Sequence, residues 1–596
     1  MEYKINEERK EYLKARRYNI LLACPGSGKT TSVAYKLKTI TNEINNIYGK
    51  GIGVLCLSFT NTASNEILST YRIIHGESLK YPHLVSTIDS FITQYIVSPF
   101  WKLCKYCQKK PTIINDKKIM HGFFFYESKG NEYFRFEKSF NPLPYIYKPE
   151  DIIKIGQGFK IDKQIVSKPH SEENQELWNY CVWVFKNRLE RGVITSSDAI
   201  WIARYILKKN IDICKALAHR FPYIIVDEAQ DTSDLQFEIF NMLKSNNLSN
   251  LEYIGDLNQT IYEWRDADPS QLKAFSQDPD WNLLHFTENR RSVQRIINFY
   301  SRLKPSNTPN IKSSVNNDMN LKIRFIRYEE KNDRAVINDF IKLCDAKSLK
   351  SSLILTRANN DVKKLSGISD PVNVWKSPLP DKIIRTKLSF QKNDMINAIR
   401  IMKWVVADIV FKDVTKKKNF IESKKDDYKF NSNLIRLISQ IPSLDLSVKE
   451  WDTQCRQLLM RVLNQRDMDF VIKQKIAGHK MIDLLSETVN SHYSVDNNEI
   501  IVQTIHSVKG ASVDAVLLFL NDKKSAQSIS IKDIPELDNS LIEVTEKQRL
   551  IFVACSRAKQ YLSIAVPSSV TEKYLLKRFR GLEIEVDSKF ADKTLF

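Results

Sequence analysis

Residues 20–31 restrict the fold of this chain more than any other segment. A short apolar run, residues 20–23, ends in the Gly-rich turn Cys-Pro-Gly-Ser-Gly, and Lys29, Thr30 and Thr31 open a helical pattern. A buried strand that turns directly into a helix is the opening half of a βαβ unit, and such units build a parallel sheet with helices on both faces. The rhythm repeats at once. Residues 54–59, Val-Leu-Cys-Leu-Ser-Phe, read as a second buried strand, followed by a helix from about Thr62. An α/β fold is expected.

The rhythm fails over residues 100–218, where aromatic and basic residues rise, as in HGFFFYESKGNEYFRF. It resumes at Tyr223, continues through residues 251–254 and reaches Leu283. A second α/β unit begins near Leu321 with LKIRFIRY and SSLILTR. A polar, mostly helical stretch with the run KDVTKKKNFIESKKDD interrupts it, after which IIVQTIHS resumes the pattern and YLSIAVP closes it. The simplest architecture is two lobes with parallel sheets, each carrying a mainly helical inserted subdomain. The first lobe would take residues 1–99 and 219–300 around an insertion at 100–218. The second would take 301–404 and 498–596 around an insertion at 405–497.

A chain of 596 residues has room for several domains with sizeable cores. Lysine and arginine total 90 against 70 aspartates and glutamates, a net charge of +20. Such a balance suggests a polyanionic partner, most simply nucleic acid, although a solvated lysine-rich surface gives the same totals. Of nine cysteines, only Cys104 and Cys107 form a CxxC, and no second pair follows at metal spacing. Ordinary reduced thiols are therefore a simpler reading than a zinc or iron–sulfur site. The N-terminal segment is too charged for a signal peptide, and no apolar stretch approaches membrane-spanning length, so a soluble, cytoplasmic chain without a membrane partner is expected.

Residues 23–30, Ala-Cys-Pro-Gly-Ser-Gly-Lys-Thr, match a P-loop with Ala in place of the usual first Gly. Gly26 and Gly28 let backbone amides curl around phosphates, and the helix N-terminus adds a favourable dipole. Lys29 is expected to reach the β- and γ-phosphates of ATP and Thr30 to join the Mg²⁺ shell. Ala23, Pro25, Ser27 and Thr31 complete the expected cradle. Further on, Tyr-Ile-Ile-Val-Asp-Glu-Ala-Gln-Asp (residues 223–231) delivers two adjacent acids from an apolar strand. One carboxylate, Asp227, would hold Mg²⁺, and the next, Glu228, would orient or deprotonate the attacking water. Gln230 is a candidate coupling residue. Arg291, in TENRRS, and Arg557, in RLIFVACSRAK, stand where a γ-phosphate could be reached from outside the first lobe; a guanidinium is suited to its transition-state oxygens.

With these residues in order, the chain resembles the superfamily 1A helicases of the UvrD, Rep and PcrA type. ACPGSGKT resembles motif I, LSFTNTASNE motif Ia, STIDSF motif Ib and IIVDEAQDTSDLQ motif II. IGDLNQTIYEWRDAD is similar to motif III, TENRRS to motif IV, TIHSVKG to motif V and RLIFVACSRAK to motif VI, with SLILTRAN after motif IV. The resemblance implies two RecA-like lobes, with the insertions as subdomain 1B and a shortened 2B. It implies an ATP-dependent 3′–5′ single-strand DNA translocase and helicase, acting at strand–duplex junctions. Gln259 would sense the γ-phosphate, and Gly510 would contact the nucleotide. Tyr262 and Trp264 would stack on bases, with Phe59 and Arg265 nearby and Thr60, Asn61 and His506 as further strand or coupling contacts. Base stacking on aromatics tolerates any sequence.

Three departures fall together. Glu8 or Arg9 stands about where the family's adenine-reading Gln belongs, Arg290 where a base-stacking Tyr is usual, and Ser512 where an acid meets the sugar. Residues addressing phosphate and metal are intact, so hydrolysis is expected to persist with relaxed discrimination between bases. Arg290 could still stack through its guanidinium plane. A fourth departure, Asp266 for the usual Gly, has no assigned effect. The chain ends about forty residues beyond Arg557, which leaves no room for the nuclease domain of some relatives. With its compact 2B-like region it resembles the helicase subunit of Gabija-type phage-defence complexes, which pairs with a separate nuclease. The alternative reading is a nucleotide-sensing, DNA-binding subunit that regulates a partner nuclease without processive unwinding.

Overall fold

The computed structural model describes all residues except 1–4, 50, 129–130, 137–139, 162–163, 170–174, 262–268, 307, 367–373, 392–393, 412–413, 425–426, 465–466, 468–469, 475–479, 491–501, 522–527, 537–543 and 592–596. Tyr18–Ala23 (β1), Val54–Ser58 (β2), Leu84–Thr87 (β3), Tyr223–Val226 (β4), Asn250–Gly255 (β5) and Asn282–Phe286 (β6) form a six-stranded sheet in the order β6-β1-β5-β4-β2-β3. Every pairing is parallel; Ile20, for example, lies opposite Tyr253 on one side and Leu283 on the other. A parallel sheet must be covered on both faces, and β4 displays how the chain meets that demand. Tyr223 and Ile225 join one apolar cluster, packed with Val33, Leu37 and Ile40 of the helix Lys29–Tyr48. Ile224 and Val226 join the other. This is the period-2 alternation of a strand buried on both sides.

That second cluster runs on, through Phe124, Tyr180 and Ile202, into residues 100–218. The segment carries the helices Gln175–Arg191 and Ser196–Lys209. Beside them lie an antiparallel pair, Phe125–Ser128 with Asn131–Phe134, and a three-stranded antiparallel sheet, Ile152–Ile155, Gly158–Ile161 and Gln164–Val166. Its helical content is thus shared with small sheets, which the aromatic crowding around Phe124 and Phe134 supports.

A second six-stranded, all-parallel sheet is built from Ile323–Tyr328 (β7), Ser352–Thr356 (β8), Val502–Thr504 (β9), Val513–Phe519 (β10), Ala558–Pro567 (β11) and Ile584–Phe590 (β12), in the order β9-β8-β10-β11-β7-β12. The helix Glu546–Cys555 is buried along most of its length against it. The α/β class and two parallel-sheet lobes expected from the sequence are what the chain forms.

The two lobes, with residues 100–218, belong to one compact unit, 1–359 and 502–596; Asn360–Ile501 forms a separate one. That unit is helical, with Trp375, Met402, Leu437 and Trp451 at its centre, and Trp375 Nε1 donates to Asp452 Oδ1 at 2.7 Å. It starts well before residue 405, because the helix Met395–Val410 buries Ala398, Met402, Val405 and Val406 in this core. Among the described residues no helix is long and apolar enough to cross a membrane. All nine cysteines are buried free thiols.

Candidate active site between the two lobes

β1 stops at Ala23, where Cys24 N donates to Phe286 O of β6 at 3.0 Å, and the chain leaves the sheet as a loop. Gly26 (φ +69°) and Gly28 (φ +82°) take left-handed backbone, which favours glycine. Gly26 also has a steric reason: a Cβ there would sit 2.5 Å from Arg291 Cβ. A hook of chain after β6 leans on the loop. Asn289 Nδ2 donates to Pro25 O at 2.7 Å, Arg290 N donates to Gly26 O at 2.8 Å, and Asn289 Oδ1 accepts from Arg291 N at 2.7 Å and Ser292 N at 2.8 Å. The helix starts at Lys29, so its first amides and its dipole face the loop's concave side.

β4 brings the acids to the same place. Asp227 N donates to Leu57 O at 2.7 Å, and Glu228 then turns the chain with φ +54°. A non-glycine residue held in left-handed backbone is strained and persists only where its surroundings impose it. Lys29 Nζ lies 3.5 Å from Glu228 Oε1. Burial, and then the Glu228 charge, push the Asp227 carboxyl well above the usual carboxylate range. Burial also pushes Glu228 up, but Lys29 and Lys509 outweigh it and hold this carboxyl low. Asp227 Oδ1 is buried with no hydrogen-bond partner. An orphaned, desolvated carboxylate oxygen in the cavity that Thr30 also lines fits a hard divalent cation. Among the described residues no three His, Cys, Asp or Glu side chains gather as a metal cluster, so such an ion would complete its shell with phosphate oxygens and water, as Mg²⁺ ordinarily does.

Hydrogen bonds tie this centre to the second lobe. Gln230, fully buried, donates to Glu228 Oε2 at 2.5 Å and accepts from Asp256 N at 3.1 Å. Asp256 Oδ2 accepts from Gln259 Nε2 at 2.7 Å, and Gln259 Oε1 accepts from Arg557 Nη2 at 3.0 Å. An amide clamped on both sides has its orientation decided. Lys509 donates to Asp231 and, at 3.1 Å, to Gln259 O, and stands 3.6 Å from Glu228. Arg549 Nε donates to Thr260 O at 2.8 Å, Arg291 Nη1 to Ser556 O at 3.2 Å and Ser292 Oγ to Ala558 O at 2.6 Å. Burial, then the neighbouring Arg291 charge, work against the charge on Arg557, while Glu228 and Asp256 favour it.

The cavity so enclosed holds about 730 Å³, a ligand-sized volume. Pro25, Gly26, Ser27, Gly28, Lys29, Thr30 and Thr31 line it, as do Phe59, Thr60, Asp227, Glu228, Gln259, Arg291, His506, Gly510 and Arg557. Ala23 and Arg290 do not. Ala23 is buried at the end of β1, and Arg290 Nε is 3.0 Å from Glu288 Oε1. Asn61 lines an adjoining polar groove of about 500 Å³, shared with Phe59 and Thr60. Tyr262, Trp264, Arg265 and Asp266 lie outside the described residues. Asp231, Asp256, Asn289 and Lys509 are among the cavity and clamp residues that had no role from sequence. Each stands inside one of the motifs named above, and a signal existed in these polar side chains, but only the fold gives them partners.

The N-terminal helix, about where the resemblance places base reading, differs. The helix Glu7–Lys14 presents Glu8 to Thr287 and Arg9 to the loop: Glu8 accepts from Thr287 N at 3.1 Å, while Arg9, fully buried, donates to Ser27 O and, at 3.0 Å, to Glu288 Oε2. Glu288 also accepts from Asn6 Nδ2 at 2.6 Å. Two nitrogens of the Arg9 fork are therefore spent on protein.

The sequence model of the UvrD/REP helicase N-terminal domain matches residues 5–280, and that of the UvrD-like helicase C-terminal domain matches residues 399–569. The chain is similar to a probable DNA helicase II homolog of Mycoplasma genitalium, 22% identical over 94% of this chain and 84% of that protein. It is 27% identical to the ATP-dependent DNA helicase Rep of Buchnera aphidicola subsp. Schizaphis graminum, over 57% of this chain and 51% of that protein. It is 21% identical to the ATP-dependent DNA helicase PcrA of Leuconostoc citreum, over 65% of this chain and 50% of that protein. The chain thus spans about half the length of those Rep and PcrA proteins. Matches to both the N-terminal and the C-terminal helicase domain, and a cavity lined by residues of both, make this chain a member of the UvrD/Rep family of ATP-dependent DNA helicases, superfamily 1A.

Proposed function

We propose that this protein is a 3′–5′ single-strand DNA translocase that unwinds duplexes by hydrolysing nucleoside triphosphate between its two lobes. The observation that carries the reading is the bond line from Glu228 through Gln230, Asp256 and Gln259 to Arg557. A charge change at the γ-phosphate alters both lobes through it, which is what a motor requires. In this reading the loop amides and Lys29 hold the phosphates. Thr30 and Asp227 would hold the Mg²⁺ that neutralises phosphate oxygens. Glu228 orients the attacking water and takes its proton. Arg291 and Arg557 lie against the γ-phosphate and stabilise charge there in the transition state, while Gln259 reports its presence. Phe59, Thr60 and Asn61, with Tyr262, Trp264, Arg265 and His506, serve the strand. Polarity rests on the family resemblance.

Glu228→Gln is the direct test. Hydrolysis stimulated by single-stranded DNA should collapse while nucleotide binding persists. Retained turnover would remove Glu228 from the reaction. Strand displacement on 3′-tailed and 5′-tailed duplexes then tests polarity, and preference for the 5′ tail would reverse it.

The Arg9 contacts favour the relaxed base discrimination expected from sequence, because a guanidinium held by Ser27 and Glu288 only donates and offers no acceptor to a base edge. A role beside a separate nuclease, in phage defence, follows only from the resemblance of the smaller helical unit. Co-purification from the host tests it, and recovery of the protein alone would count against it.

A further inference from the structure

The polar groove beside the cavity runs from Phe59 and Asn61 across Thr93 to Ile113, Asn115 and Ser196, so it leaves the first lobe's sheet and enters residues 100–218. At its far end the wall is built, not loose. Thr112–Ile113 pairs in parallel with Val193–Ile194, Thr112 N donates to Gly192 O at 2.8 Å, and Asn115 and Ser196 exchange hydrogen bonds of 2.9 and 3.0 Å. Gly192 (φ +70°) packs so closely that a Cβ would meet Lys110 O at 2.8 Å and Lys109 Cβ at 3.1 Å. The backbone of Lys109 and Lys110 is thereby set against the turn.

Residues 101–118, WKLCKYCQKKPTIINDKK, contain six lysines and one acid. Lys109 and Lys110 precede the groove-lining Ile113 and Asn115, and Lys117 and Lys118 follow them; all four are exposed. Lys117 pairs with Asp151 at 2.5 Å. Among the described residues Lys109, Lys110 and Lys118 have no acidic partner within 4.0 Å. The acid inside the groove, Asp89, accepts from Gln236 Nε2 at 3.1 Å. The acid of the tract, Asp116, is occupied capping the next helix at Ile119 N.

We infer that Lys109, Lys110 and Lys118 form a phosphate-binding rim that extends the strand path of the motor beyond its two lobes, and that its ligand is the backbone of single-stranded DNA leaving the groove. This rests on the translocase reading above. Lysine is suited to the task as a mobile point charge that makes no demand on sequence, and a basic groove that tracks the backbone is how sequence-independent strand binding is built.

The test uses the full chain with Lys109→Gln, Lys110→Gln and Lys118→Gln combined, and the corresponding triple arginine variant. Fluorescence anisotropy with labelled oligothymidine of increasing length, over a salt series, reads the affinity. Every lysine that neutralises a phosphate of a single strand adds about 0.7 to the steepness of log K against log salt. The glutamine variant should therefore show a slope shallower by about 2 and on the order of tenfold weaker affinity at moderate salt, for long oligonucleotides only. The arginine variant should keep both, and DNA-independent hydrolysis should be unchanged in either. An unchanged slope, a weakening equal at all lengths, or a weakening confined to blunt duplex would overturn the rim. If the unaltered protein binds no single strand at all, the translocase reading fails first and the rim with it.

Discussion

The two ends of the nucleotide site obey different constraints. At the proposed phosphate end, Gly26, Gly28, Lys29, Thr30, Asp227, Glu228 and Arg557 meet around one cavity, where each would answer a requirement set by phosphate and metal charge. At the base end, Arg9, Glu288, Asn6 and Arg290 bond mainly to one another and to the loop. The contrast has a physical source. Phosphoryl transfer needs fixed donors, a cation and a positioned water, whatever base is attached. Base reading is a separate hydrogen-bond pattern, which can be absent while the hydrolytic centre stays whole. In this chain Arg9, at about the position where the resemblance places a base reader, braces the loop instead.

The largest effects should come from breaking the phosphate end. Lys29→Ala is expected to lower DNA-stimulated phosphate release by roughly 10³-fold or more, because the missing charge lies where charge develops. Arg557→Ala should also cost on the order of 10³-fold in turnover with little change in nucleotide affinity. A loss under about tenfold would deprive Arg557 of a finger's role. Its burial adds a second expectation: Arg557→Lys should not rescue, since lysine cannot bond Gln259 and Ser556 Oγ while reaching across the cleft as the guanidinium does. Near-complete rescue would show that charge alone suffices.

An intermediate effect should come from the hook that joins the two ends. Asn289→Ala removes the donor to Pro25 O and the acceptor for Arg291 N and Ser292 N. Small displacement of a positioned group can cost about 10²-fold, so kcat/KM should fall by tens-fold while thermal stability drops only modestly. If stability falls in proportion and kcat/KM does not, Asn289 serves folding and not loop geometry.

The phosphate end was legible in sequence because local chemistry defines it. A Gly-rich turn between strand and helix, and two acids ending an apolar strand, name their jobs wherever they occur. The clamps were not legible. Lys509 and Asp231 are 278 residues apart, and nothing local to either specifies the other. Asn289 was visible as a letter in TENRRS, yet its bond to Pro25 O is made possible only by β6 running beside β1. The boundary of the smaller helical unit was misplaced toward 405, since the apolar face of the helix Met395–Val410 gives no hint of which core it joins. The fold class survived these gaps because strand burial on both faces is a property of each strand by itself.

The smallest effect, and the sharpest for the comparison, belongs to Arg9→Gln. Glutamine offers one donor and one acceptor, the complement of adenine's amino and ring nitrogen, whereas a guanidinium only donates. The unaltered protein should hydrolyse ATP, GTP and CTP with kcat/KM values within about tenfold of one another, since the Arg9 guanidinium only donates and does not match adenine's donor–acceptor edge. Arg9→Gln should raise the ATP-to-CTP ratio several-fold. It should also raise KM for all three, because the bond from Arg9 to Ser27 O is removed and the loop is less firmly held. The two readouts separate the two roles. A common rise in KM with an unchanged ratio would leave Arg9 as a brace alone. A steep ATP preference in the unaltered protein would mean that adenine is read by groups other than Arg9, and the division between the two ends would fall.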